Sequence, residues 1–304
     1  MSSSPAHAEP DIDDVQARVD KLYHEAEQAS ERYNDTKIEL DGLRDDLGSL
    51  KADEKRAEAA LDSVRADARQ SIRRSYTRSD LSVVSRIITD GDPSALLSEM
   101  SALSSYRQVQ DGVFDDYATG LEALDIRREA TQQRVDRLAD LEAKLGEEKE
   151  TVEGKLAESK ELLGELKEEE RRELLSRGST RIPSDVPASG RAAAAVQYAM
   201  AQVGDAYVWG AAGPDAFDCS GFTMMAWAQA GVGLPHSSSM QYNTGTRVAA
   251  SDLQPGDLVF YYSPISHVGM YIGNGMIVHA ANPSSGVRVS PLYEMPYVGA
   301  VRPG

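Results

Sequence analysis

Phe217-Asp218-Cys219-Ser220-Gly221-Phe222, with the run Thr223-Met224-Met225-Ala226-Trp227-Ala228-Gln229-Ala230-Gly231 after it, decides how the C-terminal part of this chain is read. From Phe222 onward the apolar residues fall at helical spacing, and Gly231 ends the helix. Cys219, the chain's one cysteine, therefore stands at a helix N-terminus. Free N–H groups and the positive end of the helix dipole favour a thiolate there, which is what a cysteine nucleophile needs.

On either side the chain is short strands, glycines and aromatics. An Ala-rich helix over 191–203 and Tyr207-Val208-Trp209-Gly210 come before Cys219. After it, the turn Gln254-Pro255-Gly256-Asp257 leads into a strand, Leu258-Val259-Phe260-Tyr261-Tyr262. Two more strands follow, His267-Val268-Gly269-Met270-Tyr271-Ile272 and Met276-Ile277-Val278-His279-Ala280. The spacing predicts an α+β domain whose base must be sought among His236, His267 and His279.

Register tests that choice. A three-residue loop at 273–275 pairs Ile272 with Met276 and His279 with Gly269, so His267 and His279 share a face as diagonal neighbours. A two-residue Asn274-Gly275 loop separates them unless a bulge restores the register. On the shared face, His267 takes the Cys219 proton and His279 orients His267. Two plainer readings stand beside this one. A lone cysteine at a helix start is often structural. A zinc site lacks any Cys or His pair at short ligand spacing and an evident fourth ligand, so no metal or cofactor is expected.

Residues before 182 have another style. Ile12, Val15, Val19, Leu22, Ala26, Ala29, Tyr33, Thr36, Leu40, Leu43, Leu47, Leu50, Ala57, Leu61, Val64 and Ala68 step by three and four, with Glu54 filling the one gap. That 3.5-residue period predicts a left-handed coiled coil. A weaker series runs Phe114, Tyr117, Leu121, Leu124, Val135, Leu138, Leu145, Val152, Leu156, Leu163 and Leu166. Gly91-Asp92-Pro93 breaks the helix between them. The pattern predicts a long antiparallel hairpin over 11–178 with a small helical lobe at about 76–106, and a self-dimer fits the same heptads. Residues 1–10 read as a tail, and 179–190, with Pro183 and Pro187, as a semi-stiff linker to a catalytic unit over 191–304.

Charge follows the same division. Residues 1–181 carry a net charge of −14 and residues 182–304 a net −3. Such a balance argues against nucleic acid and against anionic lipid surfaces, both of which select basic residues. No apolar run is long enough to span a bilayer. Ala6-His7-Ala8-Glu9-Pro10 reads as the small-residue end of a secretory signal whose apolar core has been removed, so a secreted or cell-envelope location is expected.

Taken together, these residues resemble the NlpC-type cell-wall peptidases, bacterial relatives of papain. The resemblance covers 190–302. It rests on Tyr207-x-Trp209-Gly210, the hexapeptide 217–222, Leu234-Pro235 with Ser238 and Gln241, Leu253-x-Pro255-Gly256-Asp257-Leu258-Val259-Phe260, His267-Val268-Gly269-x-Tyr271-Ile272-Gly273-x-Gly275, and His279-Ala280. His236 stands where the family usually has arginine, and Gly213 follows two alanines where a second glycine is common. The resemblance implies Cys219 as nucleophile, His267 as base and His279 as third polar residue. It implies Tyr207 beside the oxyanion, and Asp218 and Ser220 flanking the substrate groove. It further implies cleavage of peptidoglycan stem peptides between D-glutamate and meso-diaminopimelate. The added coiled coil is similar to that of secreted actinobacterial enzymes of the RipC type. The 76–106 segment resembles the lobe of hydrolases and activators recruited by the FtsE–FtsX division complex. This implies the FtsX extracellular region as a partner and a coiled coil that holds the enzyme off. A related amidase or acyltransferase on the same fold, and a catalytically silent scaffold, remain as alternatives.

Overall fold

The computed structural model describes residues 12–77, 93–166, 186 and 188–304. The fold is α+β: two long helices, then a sheet-rich domain. Among the described residues no helix is long and apolar enough to cross a membrane. Residues 1–11 and 78–92, and most of the expected linker, lie outside the described residues, and with them the signal remnant and the first half of the expected lobe.

Helix α1 spans Ile12–Thr77 and α2 spans Pro93–Glu165. The residues expected in the second half of the lobe, from Ser94 to Tyr106, are the first turns of α2. By packing, the chain forms two compact units, one of the residues up to Leu40 together with those from Leu141, the other of Asp41–Asp140. Within the first unit Val15, Val19, Leu22 and Tyr23 pack on Leu162 and Leu166, while Glu25 meets Lys155 and Arg32 meets Glu148. Within the second, Glu58 pairs with Arg128, and Arg65 with Tyr117. In each unit partners ascend along α1 as they descend along α2, so the helices run antiparallel within one chain.

The α1 seam follows its heptads, with Val15, Val19, Leu22, Ala26, Ala29, Thr36, Leu40, Leu47, Leu61 and Ala68 all buried. The α2 seam follows its series only in part. Leu124, Val152 and Leu166 of the expected series are buried, as are Leu141 and Leu162 outside it, whereas Phe114, Leu121 and Val135 are exposed. An α-helix drifts by about 20° per heptad against a strict 3.5 repeat, and the interrupted α2 series does not hold the seam over its length.

The domain begins with α3 (Gly190–Ala201), two short parallel strands β1 (Ala206–Tyr207) and β2 (Ala216–Phe217), then α4 (Cys219–Ala228) and α5 (Ser238–Gln241). Next come β3 (Thr246–Val248), β4 (Leu258–Tyr261), β5 (His267–Gly273), β6 (Met276–Asn282), β7 (Gly286–Pro291) and β8 (Tyr297–Arg302). These form one antiparallel sheet of order β3-β8-β4-β5-β6-β7. Alternation divides the core. Leu258, Phe260, Val268, Met270, Val278 and Ala280 join Phe222, Ala226 and Trp227 of α4. Val259, Tyr261, Ile277 and Ala300 form a second cluster with Leu292.

Candidate active site

Cys219 is the first residue of α4, as its spacing predicts. Asp218 is the N-cap and accepts from Gly221 N–H at 2.6 Å, satisfying one of the free donors of the first turn. Gly221 is required by close approach: a Cβ there would lie 2.3 Å from the Ala211 carbonyl oxygen. Asp218 also accepts from Gly210 N–H at 3.0 Å and lies 2.8 Å from His236 Nε2 through both carboxylate oxygens. It is 1% exposed, so it holds the loop and helix that present Cys219. Burial alone would lower the His236 pKa, but the hydrogen bond and charge of Asp218 outweigh it and raise it. His236 is thus the ring partner of Asp218.

The β5–β6 turn resolves the register question through a bulge. The loop is the two-residue Asn274-Gly275, both at positive φ (54° and 70°), with Gly273 opposite Met276. Ile272 is the extra residue, and beyond it Tyr271 pairs with Ile277 and Met270 with Val278. This restores the register a three-residue loop would have produced. His267 Nε2 lies 2.6 Å from His279 Nδ1, and His279 Nε2 lies 2.9 Å from Ser290 Oγ on β7. All three residues are buried. Burial, then the charges of His267 and Arg288, push the His279 pKa well below its ordinary value, so His279 is neutral. Both ring nitrogens of His279 are thus engaged, Nδ1 by His267 and Nε2 by Ser290.

The remaining nitrogen of His267 is Nδ1, and the Cys219 sulfur lies within 4.8 Å of a ring nitrogen of His267. Both are engaged by α1 instead. His267 Nδ1 lies 2.5 Å from Glu27 Oε1. The Cys219 thiol donates to Glu31 Oε1 at 3.5 Å and faces the Ser266 carbonyl at 3.9 Å. Glu31 Oε1 also accepts from Ser220 Oγ at 2.7 Å, and its other oxygen accepts from Ser238 N–H at 2.5 Å and Ser238 Oγ at 2.6 Å. Asn34 donates to Asp218 at 3.2 Å, and Asp35 accepts from Ser237 at 2.5 Å. Tyr23 meets Ser284 at 2.7 Å, and the His24 ring lies 4.0 Å from that of Tyr262.

These contacts set the electrostatics. Burial, then Glu31, Glu27 and Asp218, push the Cys219 pKa well above its ordinary value, so the thiol keeps its proton despite the helix dipole. Burial and the nearby Asp218 charge raise Glu31 to about 7. Burial would also raise Glu27, but the charge of His267 and hydrogen bonds from His24 and His267 outweigh it and lower it. Tyr207 is 5% exposed, and its hydroxyl is buried with no partner among the described residues.

Glu27, Glu31 and Asn34 are not among the residues that the sequence singles out. A signal exists: His24, Glu27, Glu31 and Asn34 step by three, four and three, a polar stripe with the period of the apolar seam. Between Leu22 and Leu40 that seam thins to Ala26, Ala29, Tyr33 and Thr36. Every heptad helix carries polar stripes, so the pattern becomes informative only when Glu27, Glu31 and Asn34 prove to be 7% exposed or less.

Known proteins resemble this chain over its C-terminal domain. Residues 204–301 match the NlpC/P60 family. A probable endopeptidase of Mycobacterium tuberculosis is 51% identical over 105 residues, 34% of this chain and 27% of that protein. A probable endopeptidase of Corynebacterium glutamicum is 47% identical over 116 residues, 38% of this chain and 56% of that protein. The chain thus spans about a quarter to a half of the length of these relatives. The solved NlpC/p60 domain of the peptidoglycan hydrolase SagA is 35% identical, covers 36% of this chain and 97% of that one, and has a TM-score of 0.35. Residues 204–301 of the chain thus carry an NlpC/P60 domain.

Proposed function

We propose that this chain is a secreted peptidoglycan hydrolase, a cysteine endopeptidase of the stem peptide, held inactive by its own first helix. The observation that carries the reading is that each half of the Cys219–His267 pair is bound by a carboxylate of α1, Cys219 by Glu31 and His267 by Glu27. With α1 withdrawn, His267 Nδ1 is free to take the thiol proton, while His279 and Ser290 hold its other nitrogen. The thiolate attacks the stem-peptide carbonyl. The Cys219 N–H and the Tyr207 hydroxyl face the resulting oxyanion. His267 then protonates the departing amine, and water, deprotonated by His267, clears the thioester and restores the thiol.

The substrate class is supported by what holds Glu31. One N–H and two hydroxyls, from Ser238 and Ser220, converge on a carboxylate beside Cys219. A D-glutamyl residue with a free carboxylate next to the scissile bond to meso-diaminopimelate fits that pocket. Release of α1 in cell separation falls to an envelope partner, and the coiled coil's resemblance points to the FtsX extracellular region.

The test is mass spectrometry of purified muropeptides treated with the whole chain, with residues 182–304, and with Cys219→Ala in the shorter form. Cleavage between D-glutamate and diaminopimelate by 182–304 alone, lost with Cys219→Ala, is expected. Cleavage surviving Cys219→Ala refutes the nucleophile, and equal activity of the two lengths refutes the self-inhibition. Release of a different amide assigns the domain to the amidases.

A further inference from the structure

Docking of α1 does more than cover Cys219. It brings a carboxylate oxygen of Glu27, the Cys219 sulfur and a ring nitrogen of His267 within 4.8 Å of one another, all three residues buried. We propose that this junction is a zinc-binding site, with Glu27 Oε1, Cys219 Sγ and His267 Nδ1 as its protein ligands. Neither α1 nor the catalytic domain holds the set alone.

The donor chemistry selects the metal. A thiolate and an imidazole favour zinc over magnesium or calcium, which take oxygen ligands, and three protein ligands with an open fourth position is a common zinc arrangement. Zinc–sulfur and zinc–nitrogen bonds of about 2.3 and 2.0 Å, set tetrahedrally, separate the ligand atoms by about 3.3–3.6 Å. The His267–Glu27 contact at 2.5 Å must therefore open by roughly 0.8 Å, within the reach of a glutamate rotamer. A second, independent feature supports the site. A zinc-bound histidine donates its other ring N–H to a fixed acceptor, and His267 Nε2 is already held at 2.6 Å by His279, itself anchored on Ser290. Around the site, Tyr207 Oη and Ser266 Oγ are buried polar atoms without partners among the described residues, suited to hold a water in the fourth position.

Charge and protons balance. Zinc enters as a dication, Cys219 gives up its thiol proton and His267 its Nδ1 proton, and both protons pass to solvent. The nucleophile and the base are then ligands of the same ion, and α1 is tied to both. Zinc would therefore stabilise the inactive form and shield the one cysteine from oxidation.

The experiment measures zinc affinity of the full-length chain, freed of metal by chelation, in competition with a chromophoric chelator. One zinc per chain is expected, and cobalt in its place should give a thiolate charge-transfer band. Glu27→Gln should weaken zinc by at least about tenfold, and Glu27→His, which offers a different ligand at the same place, should recover most of the loss. Cys219→Ala should remove the cobalt band. Undiminished affinity in Glu27→Gln, failure of Glu27→His to recover it, or no stoichiometric zinc in the parent chain overturns the site. Muropeptide cleavage by residues 182–304, which lack Glu27, is unaffected by that outcome, so the hydrolase reading and the zinc site fail separately.

Discussion

Glu27 Oε1 of α1 lies 2.5 Å from His267 Nδ1, the imidazole nitrogen that His279 does not engage. A glutamate 240 residues away in sequence thus takes the nitrogen that the proposed proton abstraction from Cys219 uses. Beside it, Glu31 occupies the two serines next to the thiol. The helix does not merely obstruct the site, since it also supplies hydrogen-bond partners to the reactive groups.

Removing either carboxylate should loosen the helix. Breaking a buried charge pair by deleting one partner costs about 3–5 kcal/mol, so Glu27→Ala should weaken docking by about a hundredfold or more. Glu31→Ala orphans Ser220 and Ser238 and should act in the same direction. The rate at which iodoacetamide alkylates Cys219 in the full-length chain, with chelator present, checks this. Acceleration by at least about tenfold is expected in both variants, and an unchanged rate means that α1 does not govern access to the thiol.

Docking should weaken as pH rises through neutrality. Glu31 is raised from its ordinary 4.5 to about 7 when docked, so docking takes up a proton. A group raised in the docked state favours docking fully below about 4.5, and that contribution is lost as pH rises through about 7. The groups around it are Cys219 and Asp218, with His236 against Asp218 and Glu27 against His267. A neutral amide imitates the protonated acid, so Glu31→Gln should stay docked and lose most of the pH dependence. Hydrogen exchange over 12–40 at pH 5.5 and 8, corrected for intrinsic rates and with chelator present, measures this. An equal pH trend in the parent and in Glu31→Gln excludes Glu31 as the sensor.

Ser290 should matter although it touches neither Cys219 nor His267. Its hydroxyl lies 2.9 Å from His279 Nε2 in a fully buried site, so Ser290→Ala leaves that nitrogen unpaired, at a cost of about 1–3 kcal/mol. In the Glu27→Ala background the variant should lower kcat about tenfold or more with little change in KM, and Ser290→Thr should restore part of it. A loss in KM alone would place Ser290 in substrate binding instead.

Gly221 should tolerate no side chain. Its Cβ would meet the Ala211 backbone oxygen at 2.3 Å, with Asp218 Oδ1 and His236 Nε2 both at 2.9 Å. Backbone cannot give way as a flexible side chain can, so Gly221→Ala should destabilise the domain by about 1–3 kcal/mol. It should also displace Asp218 from the cap. A denaturation midpoint equal to that of the parent chain would contradict this packing.

What is legible in the sequence is local or periodic. Cys219 at the start of a helix, the strands carrying His267 and His279, and the α1 seam follow from turn residues and from periods of 2 and 3.5, because neighbours along the chain fix them. The β5–β6 register stays open between two outcomes at that level, because a bulge at Ile272 costs one residue and changes no residue type. The α2 seam departs from its apolar series where that series is interrupted, since Leu141 and Leu162 take the buried positions there.

The sequence by itself pointed to an α+β domain, to Cys219 and His267 as its candidate nucleophile and base, and to a helical stalk ahead of it. Only the tertiary structure decided that Glu27 and Glu31, two of the 49 acidic residues in the chain, belong to the site. A carboxylate on a heptad helix reads as solvated surface until something covers it. Here the cover is the Cys219–His267 pair itself, and burial is what turns an ordinary surface stripe into partners for a thiol and an imidazole.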